Sequence, residues 1–169
     1  MRRFIGWALA AVSVAALGCG IAIPAATASA AARPACKTTV NWIGLPGDGY
    51  AGGQEVQLEF SNTGTVTCTL YGHPGVAQEN AGGQVGLPAT WTGTPVTVTL
   101  KPGGTAHAVL DVREAICIKP QTSTYLRVIA PGLKTAWPDP FTSLACPGKS
   151  VMRVDPVKNG VGVPFYTIS

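Results

Sequence analysis

Histidine occurs twice in these 169 residues, methionine twice, and acidic side chains only eight times. Each scarcity closes off a kind of chemistry. A serine or cysteine hydrolase needs a base held beside its nucleophile. His73 and His107 are the only histidines available, and no serine stands in a Gly-x-Ser-x-Gly elbow. A blue-copper centre needs a cysteine followed closely by histidine and methionine. Met152 follows Cys146, but no histidine does. Phosphate loops open helices, whereas Gly52-Gly53 and Gly103-Gly104 join strand-like segments. The few acids are scattered over strand faces and turns. A glycosidase pair depends on spatial rather than sequential spacing, so that chemistry stays open. No stretch carries the period of about 3.6 residues that marks an amphipathic helix.

What is present begins with a leader. Arg2 and Arg3 precede an apolar run over residues 4–17, and Ala28-Ser29-Ala30 follows. Signal peptidase accepts only small side chains at the first and third of those positions, so residues 1–30 read as a signal peptide cut after Ala30, with Ala28 as the alternative. An uncut anchor competes, because the apolar segment over 4–23 approaches the length of a membrane span. The small residues after Pro24 favour cleavage. Cys19 follows Ala16-Leu17-Gly18, a loose lipobox, so an envelope lipoprotein acylated at Cys19 is the alternative localisation.

Removing 30 of the 169 residues leaves 139 (residues 31–169), the usual size of one domain. The leader holds two of the twelve basic residues and no acidic one. Ten basic side chains then face eight acidic ones, a net charge of +2, too little for a phosphate-binding face. Neither a nucleic-acid partner, a cofactor nor a transmembrane segment in the mature chain is expected. Cys36, Cys68, Cys117 and Cys146 remain, an even number that reads as two disulfides in an exported chain. No two lie at zinc-ligand spacing. Three pairings are open, and the sequential one, Cys36–Cys68 with Cys117–Cys146, is favoured.

Strand signals recur between Gly and Pro turns. Residues 38–43 form a first strand and 44–53 a glycine-rich loop. Residues 54–61 alternate Val56, Leu58 and Phe60 inward against Gln57 and Glu59 outward. Asn62-Thr63-Gly64 reverses the chain into 65–71, with Val66, Cys68 and Leu70 inward, so these two strands are expected to form a hairpin. Residues 76–79 carry a short strand before a loop over 80–93. A second hairpin is expected from 95–100, with Val96, Val98 and Leu100 inward, and 105–113, with His107 and Asp111 outward. Further strands are read over 124–130, 149–155 and 161–168. Eight or nine short strands of this kind make an all-β, antiparallel, immunoglobulin-like β-sandwich.

The segments Ser61-Asn62-Thr63-Gly64, Thr67-Cys68-Thr69-Leu70 and Gly72-His73-Pro74-Gly75-Val76 carry a resemblance. So do Gly82-Gly83, Val98-Thr99-Leu100-Lys101-Pro102-Gly103-Gly104, and Cys117 with Cys146. Together, over residues 36–156, they resemble the secreted, largely actinobacterial family called domain of unknown function 4232. The resemblance implies a sandwich fold and an exported location, and it implies no reaction. His73 departs from the pattern, since the family commonly has an aromatic residue there, often Tyr.

The expected function is a secreted, non-catalytic binding or structural module at the cell surface or outside the cell. Its ligand would be a protein or a glycan. Trp91 in the 80–93 loop, Trp137 in a Pro-rich connection, Tyr50 in the glycine-rich loop and His73 at its corner are the candidate contacts. An indole or phenol offers a flat apolar face with a polar edge, which suits sugars and peptides. The same rings could instead fold over the open ends of the sandwich. Trp42, within a strand, is assigned to the core. The alternatives are an extracellular hydrolase centred on His73 and a passive lipoprotein.

Overall fold

The computed structural model describes residues 33–160, apart from the side chains of residues 42–48. The expected leader, Cys19, the side chain of Trp42 and the strand expected over 161–168 lie outside the described residues. Among those residues there are twelve strands and no helix. They are β1 (Thr38–Tyr50), β2 (Gly53–Asn62), β3 (Cys68–Tyr71), β4 (Gly75–Asn80), β5 (Gly83–Gln84) and β6 (Thr90–Trp91). After these come β7 (Thr97–Leu100), β8 (Thr105–Arg113), β9 (Gln121–Ile129), β10 (Ala136–Ala145), β11 (Met152–Val154) and β12 (Lys158–Asn159).

A six-stranded sheet runs β1-β2-β8-β11-β6, with β12 also paired to β8. A second sheet runs β10-β9-β4-β5, and β3 with β7 makes a third. Only β11 and β6 pair in parallel among the named strands. Alternation builds the core. Val56, Leu58 and Phe60 of β2 and Ala106, Ala108, Leu110 and Val112 of β8 share one buried cluster with Leu70, Val98, Leu100, Val76, Leu126 and Val128 from the other two sheets. This is the expected all-β sandwich, closed by the expected staples. Cys36–Cys68 ties the segment before β1 to β3, and Cys117–Cys146 ties the β8–β9 loop to the end of β10.

Neither expected hairpin exists. β2 pairs with β1 and β8, and β3 pairs with β7. Both turns therefore carry the chain from one sheet to another. Alternation marks which residues face the core, but it is the same whether successive strands hydrogen-bond side by side or face each other across the core. Asn62 decides the matter. Its side chain is buried, and Nδ2 donates to the Val66 carbonyl at 3.0 Å and the Leu100 carbonyl at 3.1 Å. Oδ1 accepts from the Gly64 N–H at 2.9 Å. The Asn62 backbone donates to Gly104 and accepts from Gly103. The end of β2, the approach to β3 and the β7–β8 turn are thus bolted to one residue.

The structure departs from the sequence reading at other places too. Val66 and Val96 lie in the crossing segments outside the strands, and both are exposed. Gln57 is buried, although its alternation pointed it to water. His107 is buried as well, because the chain beyond β12 brings the Gly160 carbonyl to within 2.5 Å of Nδ1, which donates to it. The glycine-rich stretch is not a loop. β1 continues through it to Tyr50, absorbing the Pro and Gly residues in a register shift between Gly44 and Gly49. The Pro-rich connection is β10, where Pro138 and Pro140 sit opposite Arg127 and Tyr125. β10 is an edge strand, and an edge tolerates a missing N–H.

Replacing Asn62 by Ala removes three side-chain hydrogen bonds and takes a donor from the buried Leu100 carbonyl. It should cost about 2–4 kcal/mol, since each unpaired buried group costs roughly 1–3 kcal/mol. Removing either disulfide as a Cys→Ala pair should cost roughly 3–4 kcal/mol by loop entropy. Denaturant midpoints measured on the oxidised protein check both.

Candidate functional site

The outer face of the six-stranded sheet collects charge. The β2–β8 register sets Glu55 opposite Asp111, and the β8–β11 register sets Arg153 opposite Asp111. Asp155, just past β11, donates its N–H to the Val109 carbonyl at 3.0 Å. Glu55, Thr92, Val109, Asp111, Arg153 and Asp155 then line an open cleft of about 220 Å³.

Two of the three carboxylates are held. Asp111 accepts from the Tyr50 hydroxyl, from Arg113 Nε at 3.0 Å, and pairs more loosely with Arg153 Nε at 3.9 Å. Asp155 accepts from Thr92 Oγ1 at 2.5 Å and from Lys158 Nζ at 3.1 Å. The Glu55 carboxyl has no hydrogen bond or ion pair among the described residues. Burial first, then the Asp111 and Asp155 charges, hold its carboxyl above the usual range. Like charges opposite one another on paired strands work against stability, so this cleft is not what the sheet alone would favour.

A second surface lies behind the first. On β6, Trp91 is in register with the buried Val154, while Thr90 is in register with Arg153. Period two therefore turns Trp91 to the opposite side of the strand from Thr90 and Thr92. Trp91 lies at the sheet edge, 68% exposed. Its ring stacks on His73, with centroids 5.2 Å apart and planes 5° apart. His73 Nε2 donates to the Thr92 carbonyl at 2.7 Å. The corner that carries His73 depends on Gly72, whose φ of 113° suits glycine and few other residues. Thr92 joins the two surfaces, with its hydroxyl on Asp155 and its carbonyl on His73.

The four candidate contacts separate. His73 and Trp91 come together. Tyr50 supports Asp111 from the end of β1, and only glycine at position 53 admits its ring: a Cβ there would lie 2.5 Å from the Tyr50 hydroxyl oxygen and 2.7 Å from the Val112 carbonyl. Trp137 lies on β10 opposite Val128 and packs, half-buried, against the core. Sequence reasoning did not assemble the carboxylate cleft. Outward alternation flagged Asp111, but the β2–β8 pairing that sets it against Glu55 spans more than fifty residues.

Residues 36–158 match the family model described as Domain of unknown function (DUF4232). The chain belongs to this family. No curated protein and no solved structure matches it. The matched span of the DUF4232 domain takes in both disulfides, the cleft and the Trp91–His73 pair. Its disulfides fit an oxidising compartment. Among the described residues no helix is long and apolar enough to cross a membrane. No cluster of three or more His, Cys, Asp or Glu among them is arranged for a metal ion.

Glu55 generates a pH prediction. Folding raises its proton affinity above the ordinary value of 4.5. The native state then binds more protons than the unfolded state between that value and the folded pKa, so stability falls as pH rises through this window. Asp139 acts with the same sign: burial raises its carboxyl, and its buried Oδ2 has no hydrogen-bond partner. Glu55→Gln and Asp139→Asn should each raise the melting temperature at neutral pH and flatten its decline from mildly acidic pH. Thermal unfolding across that range reads both effects.

Proposed function

We infer that this DUF4232 domain is an exported, non-catalytic binding module that meets its ligand outside the cell or at the envelope, through Trp91 backed by His73. The observation that carries this reading is the exposed indole stacked on an imidazole that is itself hydrogen-bonded to Thr92. A flat apolar ring held in one orientation loses little conformational freedom when a ligand covers it. The ring that backs it, His73, is polar rather than apolar, which suits a glycan better than a protein segment. Sugar rings offer C–H faces for stacking and hydroxyls for polar contacts. Export is supported by the leader and by two disulfides. Mass spectrometry of the mature N-terminus distinguishes free Ala31 from acylated Cys19.

The runner-up is an extracellular hydrolase, and Glu55 is what favours it. A carboxyl with raised proton affinity beside the Asp111 and Asp155 side chains is suited to general-acid work on a glycoside. His73 is a poor centre for such chemistry, with Nε2 committed to Thr92 and a ring face covered by Trp91.

Glycan arrays and pull-downs from the producing culture and envelope test the binding reading. Trp91→Ala should weaken binding roughly three- to tenfold, the scale of one aromatic stacking contact. Trp137→Ala should lower the melting temperature and leave the affinity of the folded protein unchanged. Undiminished binding by Trp91→Ala would sink the reading, and glycoside hydrolysis abolished by Glu55→Gln would put the runner-up in its place.

A further inference from the structure

The loop between β8 and β9 carries Ile116 and Ile118, which are 85% and 98% exposed. Cys117 lies between them, drawn towards the domain by its bond to Cys146 at the end of β10. With the middle side chain pulled in, its two neighbours are left facing outward, and the cross-link holds them there. Ile116, Cys117, Ile118, Lys119, Pro147 and Lys149 line one broad, open surface depression. Two of these groups are cationic and none is anionic. Lys119 and Lys149 are both exposed, and neither is in an ion pair among the described residues. Glu114, the nearest acid along the loop, lines a separate depression with Gly49, Gly53 and Leu144.

Single exposed aliphatic residues are ordinary on a protein surface. Two of them projecting from a cross-linked tip, with lysines beside them, are a different arrangement. We propose that this tip docks on an anionic lipid bilayer. The isoleucines enter the boundary between headgroups and acyl chains, while the lysines keep their stems along the apolar surface and their ammonium groups at the lipid phosphates. The charge favours a bilayer over a protein partner, because unpaired cations match the negative potential of acidic lipids. The tip shares no residue with the cleft or with the Trp91–His73 pair, so it does not depend on the binding reading given for them.

Vesicle sedimentation tests the proposal, using the exported protein in a Cys19→Ala background so that no acyl chain contributes. Wild type should bind vesicles of phosphatidylglycerol and phosphatidylcholine, and bind vesicles of phosphatidylcholine alone far less. Raising the salt should weaken that binding as the lysine attraction is screened. Ile116→Ser/Ile118→Ser and Lys119→Glu/Lys149→Glu should each lower the partition coefficient at least about tenfold, the first through lost apolar burial and the second through reversed charge. All four side chains lie at the surface, so unchanged melting temperatures will show that both variants are folded. A wild type that ignores anionic vesicles would overturn the proposal, as would variants that bind them equally well. Loss of a soluble protein partner in the isoleucine variant, with vesicles ignored throughout, would reassign the tip to a protein interface.

Discussion

The structure turns on one buried amide. Asn62 spends both amide hydrogens and its carbonyl oxygen on backbone groups that belong to different parts of the chain. A buried amide left unpaired is costly, so full satisfaction at this point strongly restricts how the chain can pass it. The segment after β2 must cross to the sheet of β3, and the turn after β7 must lie alongside it. These two crossings free both edges of β2, which β1 and β8 then occupy.

The functional surfaces inherit that topology. β8 beside β2 sets Asp111 against Glu55, and β11 on the other side of β8 adds Arg153. The Tyr50 end of β1 reaches the same cleft only because β1 runs on past its glycines, to where Gly53 leaves room for a ring. The corner between β3 and β4 belongs to neither of the sheets that it joins, and it swings His73 out to meet Trp91 at the edge of the six-stranded sheet. The Cys117–Cys146 bond staples the β8–β9 loop to the end of β10, between the exposed Ile116 and Ile118.

Much of the fold was legible along the chain because it is local. Alternation identified the inward residues of β2, β3 and β7, and the even cysteine count in a chain read as exported pointed to two staples. Where local signals failed, a neighbour distant in sequence had overridden them. Gln57 and His107 read as solvated by period, yet both are buried, His107 against the chain beyond β12. The glycines and prolines of β1 and β10 read as loops, yet each strand finds a partner that accommodates a register shift or a missing N–H. Of the candidate site, the types of residue were visible and their grouping was not. Trp91 and Trp137 looked alike as loop aromatics, but one lies open at a sheet edge and the other packs against the core.

The sequence by itself determined the class of fold, the number of cross-links, the inward face of most strands and the membership of the family. Each of these follows from composition, short-period patterning or motifs contained within a few residues. Tertiary structure alone decided which strands pair, that Glu55, Asp111 and Asp155 share a cleft, that His73 backs Trp91, and that Ile116 and Ile118 stand clear of the core. The physical reason is that pairing is chosen by contacts between residues tens of positions apart. A period of two is the same for a hairpin as for a crossing between sheets, until a buried group such as Asn62 can be satisfied in only one of them.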